Sequence, residues 1–194
     1  GDAAVDAWVQ GSLGEMAARR GDRASARTRY REALRLTPGD TYLLGAYADL
    51  LLDEGRPQQA AALLAPHLRV DGLLLRHALA LRASGGAERL APELAELAAR
   101  FEAGERRGDG VHLREQARYE LALRGDARRA LALASRNWEV QKELADARIL
   151  LEAAQAARSP AAARPVRDWI RVHGVEDTAL ARLAAGMPDG GGKP

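Results

Sequence analysis

His112 and Glu115 stand three residues apart in the stretch His-Leu-Arg-Glu, a spacing that puts both side chains on one helix face. Such a pair binds metal when another helix adds further ligands. No second motif of that kind occurs, so no metal site is expected. His67, His77 and His173 are scattered along the chain and fit packing or solvent roles. There is no cysteine, which removes disulfides, thiolate metal sites and a cysteine nucleophile together. Neither the Gly-x-Ser-x-Gly elbow nor His-Glu-x-x-His occurs, and the glycine-rich run at 186–193 lacks the spacing, the following Ser or Thr, and the preceding strand of a phosphate loop. These residues describe a non-catalytic chain with no cofactor.

Arg23, Arg27, Arg31 and Arg35 lie four apart and lay a basic stripe along one helix, the feature that points most toward nucleic acid. Asp22 and Glu32 dilute the stripe, and no aromatic platform for bases accompanies it. With 29 basic against 27 acidic residues the chain carries only +2. A solvated outer face explains the stripe, and no nucleic-acid partner is expected; a nucleic-acid-binding helical protein using arginine stripes stands as the alternative.

Helices must position all of these side chains. Alanine, leucine, arginine and glutamate dominate the 194 residues, while β-branched and aromatic residues are sparse, so helix is the default for most windows. No window approaches the 18 or more apolar residues of a membrane span, so no membrane insertion is expected. The first residues carry neither a basic n-region nor an apolar h-region, which reads as a processed protein or a fragment with upstream repeats missing.

Self-similarity organises the rest. Gly14 and Ala48, Gly21 and Gly55, Ala26 and Ala60, and Tyr30 and Leu64 are equivalent pairs, each 34 residues apart. The first unit reads Leu13-Gly14, Gly21, Ala26, Tyr30, Ala33 and Pro38. Small residues at Gly14, Ala26 and Ala33 let two antiparallel helices approach closely, with Leu13 and Tyr30 expected to fill the gaps. Pro38 ends the second helix and Asp40 caps the next. The second unit repeats the scheme with Leu44, Tyr47-Ala48, Leu51, Gly55, Ala60 and Leu64, and Pro66 predicts a kink in its second helix.

Gly85-Gly86 turns a third unit whose second helix must be longer than usual, with Leu90, Leu94, Leu97 and Phe101 at helical spacing. The charged, glycine-bearing stretch 104–110 is predicted to be a surface loop. A fourth pair covers about 111–124 and 126–138, and a fifth about 144–158 and 160–172, with Ser159-Pro160 as a helix start. A capping helix is expected at 177–185 and a disordered tail at 186–194. The expected architecture is all-α: an α-α superhelix of about five antiparallel pairs plus the cap, in one domain over 1–185. Its repeats run at about 7–40, 41–70, 71–104, 111–142 and 144–173.

The period and the Leu-Gly, Gly, Ala, Tyr, Ala, Pro order resemble the tetratricopeptide repeat (TPR) family; only the first aromatic is displaced, with Gln10 in its place and Trp8 two residues earlier. The segments Asp40-Thr41-Tyr42-Leu43-Leu44, Asp71-Gly72-Leu73-Leu74-Leu75-Arg76 and His112-Leu113-Arg114-Glu115 narrow the resemblance. With Asn137-Trp138-Glu139-Val140-Gln141-Lys142-Glu143 and Asp146-Ala147-Arg148-Ile149-Leu150-Leu151-Glu152-Ala153-Ala154, they are similar to the C-terminal half of secreted or periplasmic TPR proteins of Gram-negative bacteria. The resemblance covers about residues 8–185. It implies a protein or peptide partner held in a concave groove, and a periplasmic or secreted location on which the residues themselves are silent.

In such a stack the first helix of each pair lines the groove. The residues this offers are Trp8, Glu15 and Arg19 in the first pair, Tyr42, Asp49 and Asp53 in the second, and Leu75, Leu79 and Arg82 in the third. The fourth offers His112, Glu115 and Tyr119, and the fifth Arg148, Glu152 and Gln155. Packing competes with this reading: Trp8 would also cover the N-terminal end of the stack, and Tyr42 or Tyr119 would finish the core between pairs. The Lys, Arg and Asn clamp with which chaperone-binding members hold a carboxylate has no counterpart at Gly11, Glu15 and Ala46.

Overall fold

The structure, a computed structural model, describes residues 2–108 and 112–187. The described residues form eleven α-helices and no strand, so the chain is all-α. It divides into two compact units, Gly1–Glu102 and Ala103–Pro194. No helix among the described residues is long and apolar enough to cross a membrane.

The first unit contains α1 (Ala3–Arg19), α2 (Arg23–Leu36), α3 (Thr41–Asp53), α4 (Pro57–Leu64), α5 (Asp71–Ala83) and most of α6 (Ala87–Arg107). Each helix packs on the next through α5, and α3 also touches α1 and α5, so the first helices of successive pairs are neighbours. Small residues set the spacing. A Cβ on Gly14 would lie 3.2 Å from the Tyr30 ring, and one on Gly11 would lie 2.6 Å from Leu43 Cδ2. Tyr30, Ala26 and Ala33 are buried as expected, but Leu13 is not: it points to solvent, and Ala17 and Leu43 complete that core instead.

Within a pair, the turn is built the same way each time. Gly21 takes a left-handed φ of 82°, and the Asp22 N–H then reaches back to the Ala17 carbonyl at 2.9 Å. Arg56 N–H to Leu51 O and Gly86 N–H to Leu81 O, both 2.8 Å, are the same closure after Gly55 and Gly85. Asp22 and Asp40 cap α2 and α3, Asp40 accepting from both Tyr42 and Leu43 N–H groups.

Two expectations need correction here. Pro66 does not kink a helix; α4 stops at Leu64 and Ala65–His67 is a 3-10 turn, because Pro66 has no N–H to donate to the Ala62 carbonyl and carry the α-helical ladder on. The loop expected at 104–110 is helical through Arg107, with Gly104 buried inside α6. Gly108, at φ 74°, follows the helix, and Asp109, Gly110 and Val111 lie outside the described residues. The long second helix of the third pair is present, at 21 residues and with Pro92 inside it.

The second unit contains α7 (Leu113–Tyr119) followed by a π turn at Glu120–Arg124, then α8 (Ala127–Val140), α9 (Leu144–Ala156), α10 (Arg164–His173) and α11 (Thr178–Ala185). A 3-10 segment, Pro160–Ala163, leads into α10. Helix α9 is central, with α7, α8, α10 and α11 all packing on it through Ala147, Leu150, Leu151 and Ala154. Trp138 and Trp169 meet edge to face at 5.4 Å. Met187, placed in the expected disordered tail, is instead buried in this core, while 188–194 lie outside the described residues.

The turn after α9 is closed like those of the first unit, Ser159 N–H to Ala154 O at 2.9 Å, but Arg158 rather than glycine holds the left-handed position, at φ 53°. That conformation costs a residue with a Cβ about 1 kcal/mol. Arg158→Gly is therefore expected to raise the melting temperature by about 2 °C, after the larger unfolded-state entropy of glycine takes back part of the gain. Differential scanning calorimetry reads this directly; a lower melting temperature would show that Arg158 makes contacts worth more than the strain.

Candidate partner-binding face

In the first unit the first helices α1, α3 and α5 bring several of the expected residues together. Glu15 on α1 accepts a hydrogen bond from the Tyr42 hydroxyl on α3 at 3.0 Å. Asp49, two turns further along α3, accepts from Arg76 on α5, with Nε at 2.9 Å and Nη2 at 2.8 Å. Both contacts join residues 27 apart. The second also lies 34 positions after the first, since Glu15 precedes Asp49, and Tyr42 precedes Arg76, by that interval. The same bridge between neighbouring first helices is thus made twice, once by a hydroxyl and once by a guanidinium.

Around these bridges the face is mixed in charge. Asp53 and Arg82 are exposed, Arg19 is half-buried and Leu79 is partly covered. Tyr30 lies beneath; its phenol is held well above its ordinary value by burial first and then by Glu15, Tyr42 and Asp49. Trp8 and Tyr42 are 71% and 65% exposed, so neither completes a core within the unit. Leu75 is fully buried, at 0%, and leaves the candidate set. Arg76, beside it, takes its place; its Nη1 also donates to the Gly72 carbonyl at 2.9 Å, which fixes the guanidinium toward Asp49. The 34-residue interval from Tyr42 points to Arg76 in the sequence as well.

The arginine stripe sits on α2, away from this face. Arg27 pairs with Glu54 at 2.5 Å and Arg35 with Glu32 at 2.8 Å. Arg29, Arg31 and Arg35 line a shallow depression with Gln10, Thr28 and Glu32, and Arg29 donates to Gln10 at 2.9 Å. Two of the four stripe arginines are thus already engaged by carboxylates.

In the second unit the expected residues divide. Tyr119 is buried, 4% exposed, and belongs to the core. His112 and Gln155 are exposed, while Arg148 and Glu152 pair with each other along α9 at 2.7 Å. Glu115 accepts from Arg114 at 3.3 Å. Arg114 also reaches Glu143 at 2.9 Å and Asp146 at 3.2 Å. Burial works against its charge, but these three carboxylates outweigh burial and hold the guanidinium above its ordinary value. Asp146 is completely buried and accepts as well from the Asn137 side chain and the Glu143 N–H, both at 2.8 Å. Sequence reasoning missed this knot; its one signal is an acidic residue in the first turn of α9, where a carboxylate reaches back to free N–H groups.

His77 is buried on α5 with Nδ1 2.7 Å from Glu93 Oε1 of α6, and His173 lies 5.6 Å from the Trp169 ring. Burial also pushes the Glu120 carboxyl up, against the pull of Arg129 at 2.9 Å. Among the described residues no group of three or more His, Asp or Glu side chains is arranged to hold a metal ion. No protein-family model matches the chain, and no characterised protein or solved structure matches it.

Proposed function

We propose that the chain is a non-catalytic TPR-type scaffold that holds an extended polypeptide against the first-helix face of its first unit. The observation that carries this is the bridge made twice at a 34-residue interval, Glu15 to Tyr42 and Asp49 to Arg76. Side-by-side first helices at that interval are what a tetratricopeptide stack requires, and such stacks use this face as their groove. An exposed aromatic ring beside carboxylates and guanidinium groups suits backbone and side-chain contacts to a peptide. The exported location belongs to the same reading.

Short random peptides displayed on phage, panned against the whole chain, test it. Selected peptides are expected to lose about tenfold in affinity on Tyr42→Ala and to be unaffected by Arg31→Ala on α2, with far-ultraviolet circular dichroism unchanged in both. Failure to select any peptide, or equal loss with both variants, overturns the proposal. A salt-sensitive electrophoretic shift with random DNA or RNA, lost in Arg31→Ala, would favour the arginine stripe instead.

A further inference from the structure

Helix α1 has two unlike sides. Ala7, Gly11, Gly14 and Ala17 are buried against neighbouring helices, while Val5, Trp8, Val9, Leu13 and Met16 are among the exposed large apolar residues of the chain. At about 100° per residue these five share the side opposite the buried one. Contiguous apolar patches of this kind on a soluble surface mark contact sites. The charges at the two ends of the patch differ in sign, Asp2 and Asp6 at the N-terminal end and Arg19 and Arg20 at the C-terminal end, while Glu15 at its edge is engaged by the Tyr42 hydroxyl.

A helix patterned this way is complementary to itself reversed. We infer that this face binds a second copy of the chain, α1 against α1, antiparallel about a two-fold axis. Val5 then faces Met16 of the second copy, and Val9 faces its Ser12 and Leu13. Helical side chains lean toward the N-terminus, so the Arg20 guanidinium covers the level of Met16, opposite Asp6 of the second copy. By the same lean Arg19 comes over Trp8 of the second copy, the stacking a guanidinium prefers. Antiparallel pairing also opposes the two helix dipoles favourably. The five side chains expose on the order of 500 Å² per copy, so the pair buries about 1,000 Å², the size of a small, reversible interface. A second copy supplies the reversed charges by symmetry, and that complementarity is what commits the face to this occupant.

Sedimentation equilibrium of the whole chain reads the association. A reversible dimer with a Kd on the order of 10 μM is expected, and Val9→Lys should leave only monomer. Asp6→Arg and Arg20→Asp each place like charges in contact twice per dimer and should each weaken self-association by about tenfold. An equimolar mixture of these two variants should recover the original affinity as a heterodimer, because opposite charges then meet at both ends. A chain that stays monomeric at about 200 μM, as it would if another protein's helix were the natural occupant, overturns the inference. So does a dimer indifferent to Val9→Lys, or a mixture no tighter than either variant alone.

Discussion

Asp146→Ala should destabilise the second unit by about 3–5 kcal/mol, although Asp146 touches no solvent and lies on no face offered to a partner. Its carboxylate is the shared acceptor for Asn137 on α8, Arg114 on α7 and the Glu143 N–H at the start of α9, so one side chain ties three helices. Loss of the contact to Glu143 N–H is worth about 1 kcal/mol, as for a helix cap. The larger share comes from what is left behind: Asn137 is buried, and its amide would lose an acceptor that water cannot reach, for about 1–3 kcal/mol. Arg114 keeps Glu143 and Glu115, which limits the loss on that side. Glu143→Ala is the informative contrast, since that side chain is 60% exposed and its ion pair should be worth under about 1 kcal/mol. Urea unfolding followed at the tryptophans of this unit, Trp138 and Trp169, measures both. If the two variants lose equal stability, burial is not what gives Asp146 its weight.

Residue by residue, legibility followed how far a position depends on local rules. Gly21, Gly55 and Gly85 were readable because a left-handed turn residue is nearly always glycine, and the interval between them fixed the helix pairs. Gly104 misled for the complementary reason. A single glycine costs a helix about 1 kcal/mol, and between Phe101 and Arg107 the helix-favouring Glu and Arg neighbours sustain propagation through it. Leu75 misled through phase: one residue is about 100° of rotation, so a slip of one from Arg76 moves a choice from the first-helix face into the core. Tyr119 was open to either reading, and only the packing of α7 on α8 and α9 decides it. The Asp146 knot needs three segments at once, and sequence spacing carries no sign of which helices will meet.

Ala26→Trp and Ala60→Trp are the sharpest tests of the repeat itself. Both alanines have no exposed surface, and they occupy α2 and α4 at positions 34 residues apart. Ala26 lies in the cluster with Tyr30, Ala17 and Leu43, and Ala60 in the one with Leu44, Leu51 and Leu64. An indole at either place has no space to enter. Interiors are already filled, so the helices must separate or the ring must turn out and drag its backbone with it, at about 3 kcal/mol or more. For a chain of this length that lowers the melting temperature by about 6–12 °C. Equivalence adds a second requirement, because positions with the same role should respond alike: the two variants should fall together, within about 1 kcal/mol. Ala91, an exposed alanine of α6, supplies the control, and its replacement by tryptophan should change stability by less than about 0.5 kcal/mol. A large loss at Ala26 with none at Ala60 would mean that the 34-residue interval is a coincidence of spacing, with helix pairs that do not share one packing scheme.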